Sequence, residues 1–456
     1  MRRVAFCTLG CKVNQYETNA MEESFINSGY EIVNFEEEAD IYVINTCTVT
    51  NMSDKKSRQM LRKAKQLNKD GIVVAVGCYA QVSKENLEKI EEVDLILGNN
   101  EKKEIVKYVE EFCVGAMLRR CQDNNAIINK SHIEDVLHQK EFIDFGTTIN
   151  MEKTRAVIKV QDGCDRFCSY CIIPYARGRV RSRKLESVIE EVKSLAKNGV
   201  KEVVLTGIHI ASYGRDFKED ITLIDLLEEI NKIEGIVRIR LGSLEPTIIN
   251  EEFLRRLSRL EKMCHHFHLS LQSGCNETLK RMNRRYTTEE FENVTNLLRN
   301  TYSDVILTTD IIVGFPGETE EEFNMTYEFL KRISFYKMHI FKYSRRKGTK
   351  ADLMENQIAP NIQEERSKKI IELSNKNQEE YNKEYIGEKV EVLFEERDGN
   401  YIRGHTSNYI VVKVKDSNIE KYHNTIQTVK LIELEGEELI GKFEWYWFCA
   451  CNTIVI

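Results

Sequence analysis

Apolar runs of strand length alternate with amphipathic helical stretches through the first hundred residues. "VAFCTLGC" precedes "QYETNAMEESFINSG", "DIYVINTC" precedes "SDKKSRQMLRKAKQLNKDG", and "GIVVAVGC" precedes "SKENLEKIEEV". Such alternation predicts an α/β unit with a parallel sheet and crossover helices. Each of the three strands runs into a cysteine, Cys11, Cys47 or Cys78, as it gives way to a loop. Ligands of open α/β sheets collect beyond the carboxyl ends of the strands. Three cysteines far apart in sequence are therefore expected at one edge. A lone cysteine is usually a small buried hydrophobe, but three at equivalent strand ends predict a three-thiolate site.

Residues 101–150 show no clean period and read as the end of the first unit plus a linker; Cys113 and Cys121 lie there in no metal spacing. From residue 155 the alternation resumes. Six strands are predicted at "RAVIKVQDGC", "EVVLTGIH", "VRIRLGSLEP", "FHLSLQSG", "VILTTDIIVGF" and "YKMHIFKYS", with helical stretches between them. Six β/α units suggest a partial barrel, with its chemistry in the loops at the carboxyl ends of the strands. A helical stretch, "NIQEERSKKIIELSNKNQEEYNKEY", leads to short β-rich runs broken by "DGN" and "SN", which read as a small all-β barrel. The expected organisation is an N-terminal α/β domain at 1–135, a partial (β/α)6 barrel at 150–378, a small β barrel at 379–443 and an atypical tail at 444–456 that carries both tryptophans and Cys449 and Cys451.

Composition is that of an ordinary folded protein, 41% hydrophobic and 30% charged. The N-terminus turns polar too early for a signal peptide, and no apolar run is long enough to span a membrane. A cytoplasmic location is expected, and in that reducing compartment thirteen cysteines point to metal binding or catalysis rather than disulfides. The net charge of −7 conceals basic clusters at 177–184, 280–285 and 342–350. Taken singly, each reads as a solvated face. All three, however, follow predicted strand ends, where they could hold the phosphates of a nucleic acid.

The loop after the first barrel strand, "GCDRFCSYCIIPYARGR", places Cys164, Cys168 and Cys171 in C-x3-C-x2-C spacing. A closed zinc site needs a fourth ligand, and the next residues supply none. His209 and the "CHHFH" run could be recruited, but His266 and His268 alternate with Phe267 and Leu269 and read as structural or pocket-lining. Three thiolates on a 4Fe-4S cluster leave one iron open to a small molecule.

This spacing resembles that of the radical S-adenosylmethionine (SAM) enzymes. Together with "LGCKVNQYE", "NTCTVT", "VGCYAQ", "RIRLGSLEP", "HLSLQSGC" and "DIIVGFPGET", the chain is similar over about residues 1–443 to the radical SAM methylthiotransferases, which join an N-terminal cluster domain, a radical SAM core and a C-terminal TRAM RNA-binding domain. The resemblance implies two 4Fe-4S clusters, one on Cys164, Cys168 and Cys171 and an auxiliary one on Cys11, Cys47 and Cys78, with SAM as co-substrate. It further implies that one SAM methylates a sulfur carried by the auxiliary cluster, while another yields the radical that removes hydrogen from the substrate.

Within the family the wording is most similar to the branch that methylthiolates C2 of N6-threonylcarbamoyladenosine at position 37 of tRNAs reading codons that begin with A. Tyr170 is expected either against the SAM adenine or in ordinary core packing. Thr206 and Gly207 are expected near the SAM amino group, Ser270 and Gln272 near its ribose, and Gly314 near its adenine. Arg177, Arg179 and Arg183 are expected to bind RNA. Partners implied are tRNA, a reductant such as flavodoxin or ferredoxin, and an unspecified sulfur donor. Competing readings are a sibling enzyme acting on isopentenyladenosine in tRNA or on a ribosomal-protein aspartate, an electron-transfer iron–sulfur protein, and a zinc-stabilised RNA-binding module.

Overall fold

The computed structural model describes residues 2–121, 130–146, 154–416 and 419–444. Cys449, Cys451 and the rest of the tail beyond Glu444 lie outside these residues.

The N-terminal sheet contains β1 (Arg3–Thr8), β2 (Glu31–Val33), β3 (Ile41–Thr46), β4 (Ile72–Gly77), β5 (Leu95–Leu97) and β6 (Ser131–His132). Their order is β2-β1-β3-β4-β5-β6, and every pairing is parallel. All six residues of β3, "IYVINT", are buried, because helices cover both faces of a parallel sheet. Since β1, β3 and β4 are adjacent, the chain segments leaving them put Cys11, Cys47 and Cys78 side by side.

The described residues of 101–150 carry more regular structure than their pattern suggests. A helix spans Ile105–Cys121, and β6 extends the sheet. Apolar residues are spread around that helix instead of forming a stripe, so no period marks it. Beyond the sheet, Phe142 and Phe145 lie against the Lys159 ammonium, at 5.3 and 5.8 Å from their ring centres.

The central unit contains β7 (Arg155–Asp162), β8 (Arg181–Ser182), β9 (Glu202–Gly207), β10 (Arg238–Leu241), β11 (His266–Gln272), β12 (Ile306–Val313) and β13 (Lys337–Lys342). Parallel pairing runs β7-β9-β10 and β11-β12-β13, and the parallel bridges Ile239–Met263 and Leu244–Leu269 join the two sets. These six strands are the six predicted, curled into an open barrel. The helices that coat it pack Leu, Ile, Val and Phe side chains into one large core. Two of them, Thr288–Thr301 and Glu320–Ile333, open with capping boxes, Thr287 with Glu290 and Thr319 with Glu322. Each cap residue is worth about 1 kcal/mol.

A 25-residue helix, Pro360–Glu384, ties this barrel to the next. Gln363 Nε2 donates to the Gly314 carbonyl at 3.2 Å, and near the other end Asn382 Nδ2 donates to the Glu437 carbonyl at 3.0 Å. The C-terminal strands β14 (Lys389–Asp398), β15 (Tyr401–Thr406), β16 (Val411–Lys415), β17 (Ile426–Glu435) and β18 (Glu438–Phe443) close into a barrel of order β14-β15-β16-β18-β17. Among the described residues no helix is long and apolar enough to cross a membrane.

Candidate active site

Two three-cysteine sites face each other across the junction of the first two units. The short helix Cys78–Val82, which begins on the third N-terminal cysteine, packs against Ile173–Arg177, which follows the C-x3-C-x2-C loop. Asn99 Nδ2 donates to the Ala176 carbonyl at 2.7 Å across this junction. On the far side Arg346, after β13, donates to Asp54 at 2.8 Å and Asn51 at 2.9 Å and also bonds Thr48.

In the first site Cys47 and Cys78 are buried and Cys11 is exposed. Gly10 adopts φ +100°, and a Cβ placed there would stand 2.8 Å from both Cβ and Sγ of Cys47, so this approach requires glycine. Burial pushes the Cys47 thiol up, and Cys78 and Cys11 push it further, so the three sulfurs are electrostatic neighbours. Cys78 Sγ accepts from Arg177 Nε at 3.2 Å and from Asn99 Nδ2 at 3.8 Å.

Arg177 belongs to a buried network. Glu17 accepts from Arg177, Lys102 and Lys159, the last at 2.7 Å, and Asp162 accepts from Lys159 at 2.5 Å. Arg181 approaches Asp162 at 3.7 Å. Burial opposes the charge on Glu17, but Arg177, Lys102 and Lys159 overcome it and hold the carboxyl well below its usual range. Cations in this network outnumber carboxylates, an imbalance that metal-bound thiolates at the adjoining cysteines would offset.

In the second site Gly163, at φ +69°, admits no side chain; a Cβ would lie 1.8 Å from the Arg179 carbonyl oxygen. Phe167 is also left-handed at φ 46°, which turns the loop back so that its cysteines cluster. Arg166 N–H donates to Cys164 Sγ at 3.4 Å, and Arg284 Nη1 to Cys168 Sγ at 3.5 Å. Burial, with the neighbouring sulfurs, pushes Cys164 up to about 11 and Cys171 up to about 12. Iron binding reverses that preference by requiring thiolates.

Among the described residues no three Cys, His, Asp or Glu side chains close around a single metal ion. Each thiolate of a cluster binds a different iron, so cluster ligands stand farther apart than the ligands of one ion. N–H donors aimed at sulfur are what such clusters use to stabilise their negative charge. Both donor sets therefore fit a 4Fe-4S group.

Glu245, in the loop after β10, draws the mouth together. It accepts from His209 Nε2 at 2.9 Å and from Arg166, with Arg284 at 3.9 Å. Burial alone would raise its pKa; the His209 hydrogen bond, with Arg284 and Arg166, pulls it down to about 2. Sequence alone assigns Glu245 no role, and it places Arg284 only within the basic cluster at 280–285. A carboxylate facing three basic loops has no local signature.

Of the residues expected near SAM, Tyr170 packs edge-on against Phe315, 6.4 Å between ring centres, in a small cluster with Met282 and Tyr343. Thr206 and Gly207 are the last two residues of β9, and a Cβ on Gly207 would meet Gln161 at 2.8 Å. The Ser270 carbonyl accepts from Arg284 Nη2 at 2.9 Å. Gln272 sits at a β-bulge with φ 74°, and Gly314 turns at φ +69° against Gln363. Thr206, Gly207, Ser270, Gln272 and Gly314 thus ring the same barrel mouth. His209 bonds Ser212 and Glu245, and His266 and His268 point from β11 toward Thr308, both at 3.0 Å.

Two of the expected RNA contacts are corrected. The Arg177 side chain is 0% exposed and the Arg183 side chain 1%; Arg183 is held by Glu191, by Asp144 at 3.0 Å and by the Tyr16 hydroxyl at 3.2 Å. A buried guanidinium with its donors engaged cannot meet a phosphate. Arg346 and Arg284 leave the other basic clusters for the same reason. Arg179 differs: its side chain is 56% exposed, pairs with Asp165 at 3.3 Å and lies over Phe167, 4.8 Å from the ring centre. It lines an opening of about 330 Å³ with Cys168, Cys171, Tyr175 and Lys350.

An open (β/α)6 barrel with a three-cysteine loop at its mouth, capped by a second three-cysteine domain, defines a radical SAM enzyme with an auxiliary site. Residues 158–330 match the Radical SAM superfamily and residues 3–98 match "Uncharacterized protein family UPF0004". The chain is 42% identical, over 97% of its length and 96% of the relative, to "Threonylcarbamoyladenosine tRNA methylthiotransferase MtaB" of Bacillus subtilis. Its identity to the Aquifex aeolicus protein of that name is 45%, over 90% and 96%. A Clostridium tetani "tRNA-2-methylthio-N(6)-dimethylallyladenosine synthase" is 34% identical over 95% of each chain. The chain belongs to the radical SAM methylthiotransferase family, and its likeness is greater to these two MtaB proteins than to the dimethylallyladenosine enzyme. Among solved structures, the radical SAM methyltransferase TsrM of Kitasatospora setae shares the fold, with a TM-score of 0.54 at 17% identity over 75% of this chain and 73% of the other.

Proposed function

We propose that the protein methylthiolates C2 of N6-threonylcarbamoyladenosine at position 37 of tRNA, using two 4Fe-4S clusters and SAM. The observation that carries this reading is the direct packing of Cys78–Val82 on Ile173–Arg177, which sets one three-thiol site against the other. A cluster with an open iron supplies reductive SAM cleavage at one site and a seat for sulfur at the other. C2–H of adenine is neither acidic nor bonded to a leaving group, so acid–base chemistry cannot replace it.

This chain's own residues do the rest. Cys164, Cys168 and Cys171 would hold the radical-generating cluster, with Arg166 N–H directed at Cys164 Sγ and Arg284 at Cys168 Sγ. Cys11, Cys47 and Cys78 hold the auxiliary cluster, with Arg177 and Asn99 beside Cys78. Thr206, Gly207, Ser270, Gln272 and Gly314 line the SAM site, and Tyr170 supports the Phe315 loop beneath it. Arg179 attracts the tRNA backbone at the opening, and the C-terminal barrel, read as a TRAM domain, adds a second RNA surface. A flavodoxin or ferredoxin supplies electrons, and the setting is the cytoplasm.

The test is nucleoside analysis of tRNA from cells lacking this protein and any second enzyme of its kind. Loss of the methylthio group from threonylcarbamoyladenosine supports the reading; its persistence overturns it.

A further inference from the structure

Lys12 follows the auxiliary cysteine Cys11 and opens the helix Lys12–Asn27, which packs against β7 and β9. Its side chain is exposed. The ammonium is within electrostatic reach of Tyr409, Arg155, Arg240 and Glu202, which belong to the barrel interior and the C-terminal loop that floors it, and it also acts on His266. The cations around it are engaged elsewhere. Arg155 pairs with Glu395 at 2.8 Å, Arg240 with Glu202 at 2.6 Å, and both guanidiniums lie over the Tyr409 ring, at 5.4 and 4.6 Å. Among the described residues Lys12 makes no hydrogen bond or ion pair; Glu202, the carboxylate within its reach, is committed to Arg240.

An ammonium within reach of two guanidiniums is repelled by both, and an anion relieves that repulsion. The same interior contains further polar groups. His266 Nδ1 is buried without a hydrogen-bond partner among the described residues, and His268 Nε2 stands 3.2 Å from the Asp310 carboxylate. On β13, Met338 and Ile340 face the helical core, so the exposed side chains His339 and Phe341 face inward. His339 stands 5.6 Å from the His268 ring.

We infer that Lys12 is a specificity residue whose ammonium binds the carboxylate of the threonyl group, with the barrel-floor cations behind it and Phe341 offering an apolar face to the base. The inference rests on the substrate reading above and deepens it. A threonylcarbamoyl group ends in a carboxylate, whereas an isopentenyl group is wholly apolar. A site that leaves an ammonium unpaired rejects the ligand that cannot pair it.

The test measures binding of two tRNA anticodon stem-loops to the cluster-loaded protein. One carries threonylcarbamoyladenosine, and the other carries the same group with its carboxylate converted to the amide. Wild type is expected to prefer the carboxylate by about 10- to 100-fold, the size of one charge-assisted contact. Lys12→Met abolishes the preference and Lys12→Arg retains most of it. Because the readout is a ratio on one preparation, a partial loss of cluster cancels. A Lys12→Met protein that keeps the full preference overturns the inference and leaves the function untouched. A wild type that modifies an isopentenyladenosine stem-loop and not the threonylcarbamoyl one overturns the function itself.

Discussion

Arg177 donates its Nε–H to Cys78 Sγ at 3.2 Å while its other nitrogens bond Glu17 and Asn14, joining the second cysteine site's trailing helix to the first site's sulfur. Replacing it with Met strips Glu17, Asn14 and Cys78 Sγ of the buried donor that joins them. Breaking one partner of a buried ion pair costs about 3–5 kcal/mol. Arg177→Met is expected to lower the unfolding midpoint sharply and to lose auxiliary-cluster iron first, as read by thermal unfolding and iron analysis. The radical SAM cluster should survive in whatever fraction stays folded.

Arg179 provides the contrast. Exposed and paired only with Asp165, it can turn to a phosphate at little cost. Arg179→Ala is expected to leave stability and iron content unchanged, to weaken tRNA binding, and to reduce the slope of log affinity against log salt by about one. Titrations of tRNA at several salt concentrations check this.

Glu245 gives the mouth a pH signature. Its pKa is lowered from 4.5 to about 2, because the His209 hydrogen bond and the Arg284 and Arg166 charges outweigh burial. A depressed carboxylate stabilises the fold fully above its unfolded value and loses that contribution as pH falls through its folded value. The stability gap between wild type and Glu245→Gln should therefore be constant above pH 4.5 and shrink between 4.5 and about 2, as measured by urea unfolding at each pH.

The two cysteine sets should separate by product. Changing Cys11, Cys47 and Cys78 to Ala is expected to preserve reductive SAM cleavage to 5′-deoxyadenosine while abolishing methylthio transfer. Changing Cys164, Cys168 and Cys171 to Ala should abolish both. Chromatography of SAM products alongside nucleoside analysis distinguishes them.

The strands were legible because their signal is local. The run "VILTTDIIVGF" contains β12, and "DIYVINTC" contains β3. Cys11, Cys47 and Cys78 could be brought together from sequence because parallel topology aligns strand ends. The arginines could not be sorted. Arg177, Arg179 and Arg183 stand at alternate or near-alternate positions in one basic run, and what buries two of them is Glu17, 160 positions away from Arg177, and Glu191, on the following helix. Charge patterns disclose a solvated face only when no distant carboxylate reaches it. Glu245 was hidden for the same reason, as its partners come from three other loops.

The central claim is tested most directly with purified protein carrying both clusters, SAM, sodium sulfide as the sulfur source, a chemical reductant and tRNA bearing threonylcarbamoyladenosine, followed by mass spectrometry of the nucleosides. The account predicts threonylcarbamoyladenosine with a methylthio group in place of the C2 hydrogen. Abundant 5′-deoxyadenosine with that nucleoside unchanged, and a methylthio group on isopentenyladenosine tRNA instead, would contradict it.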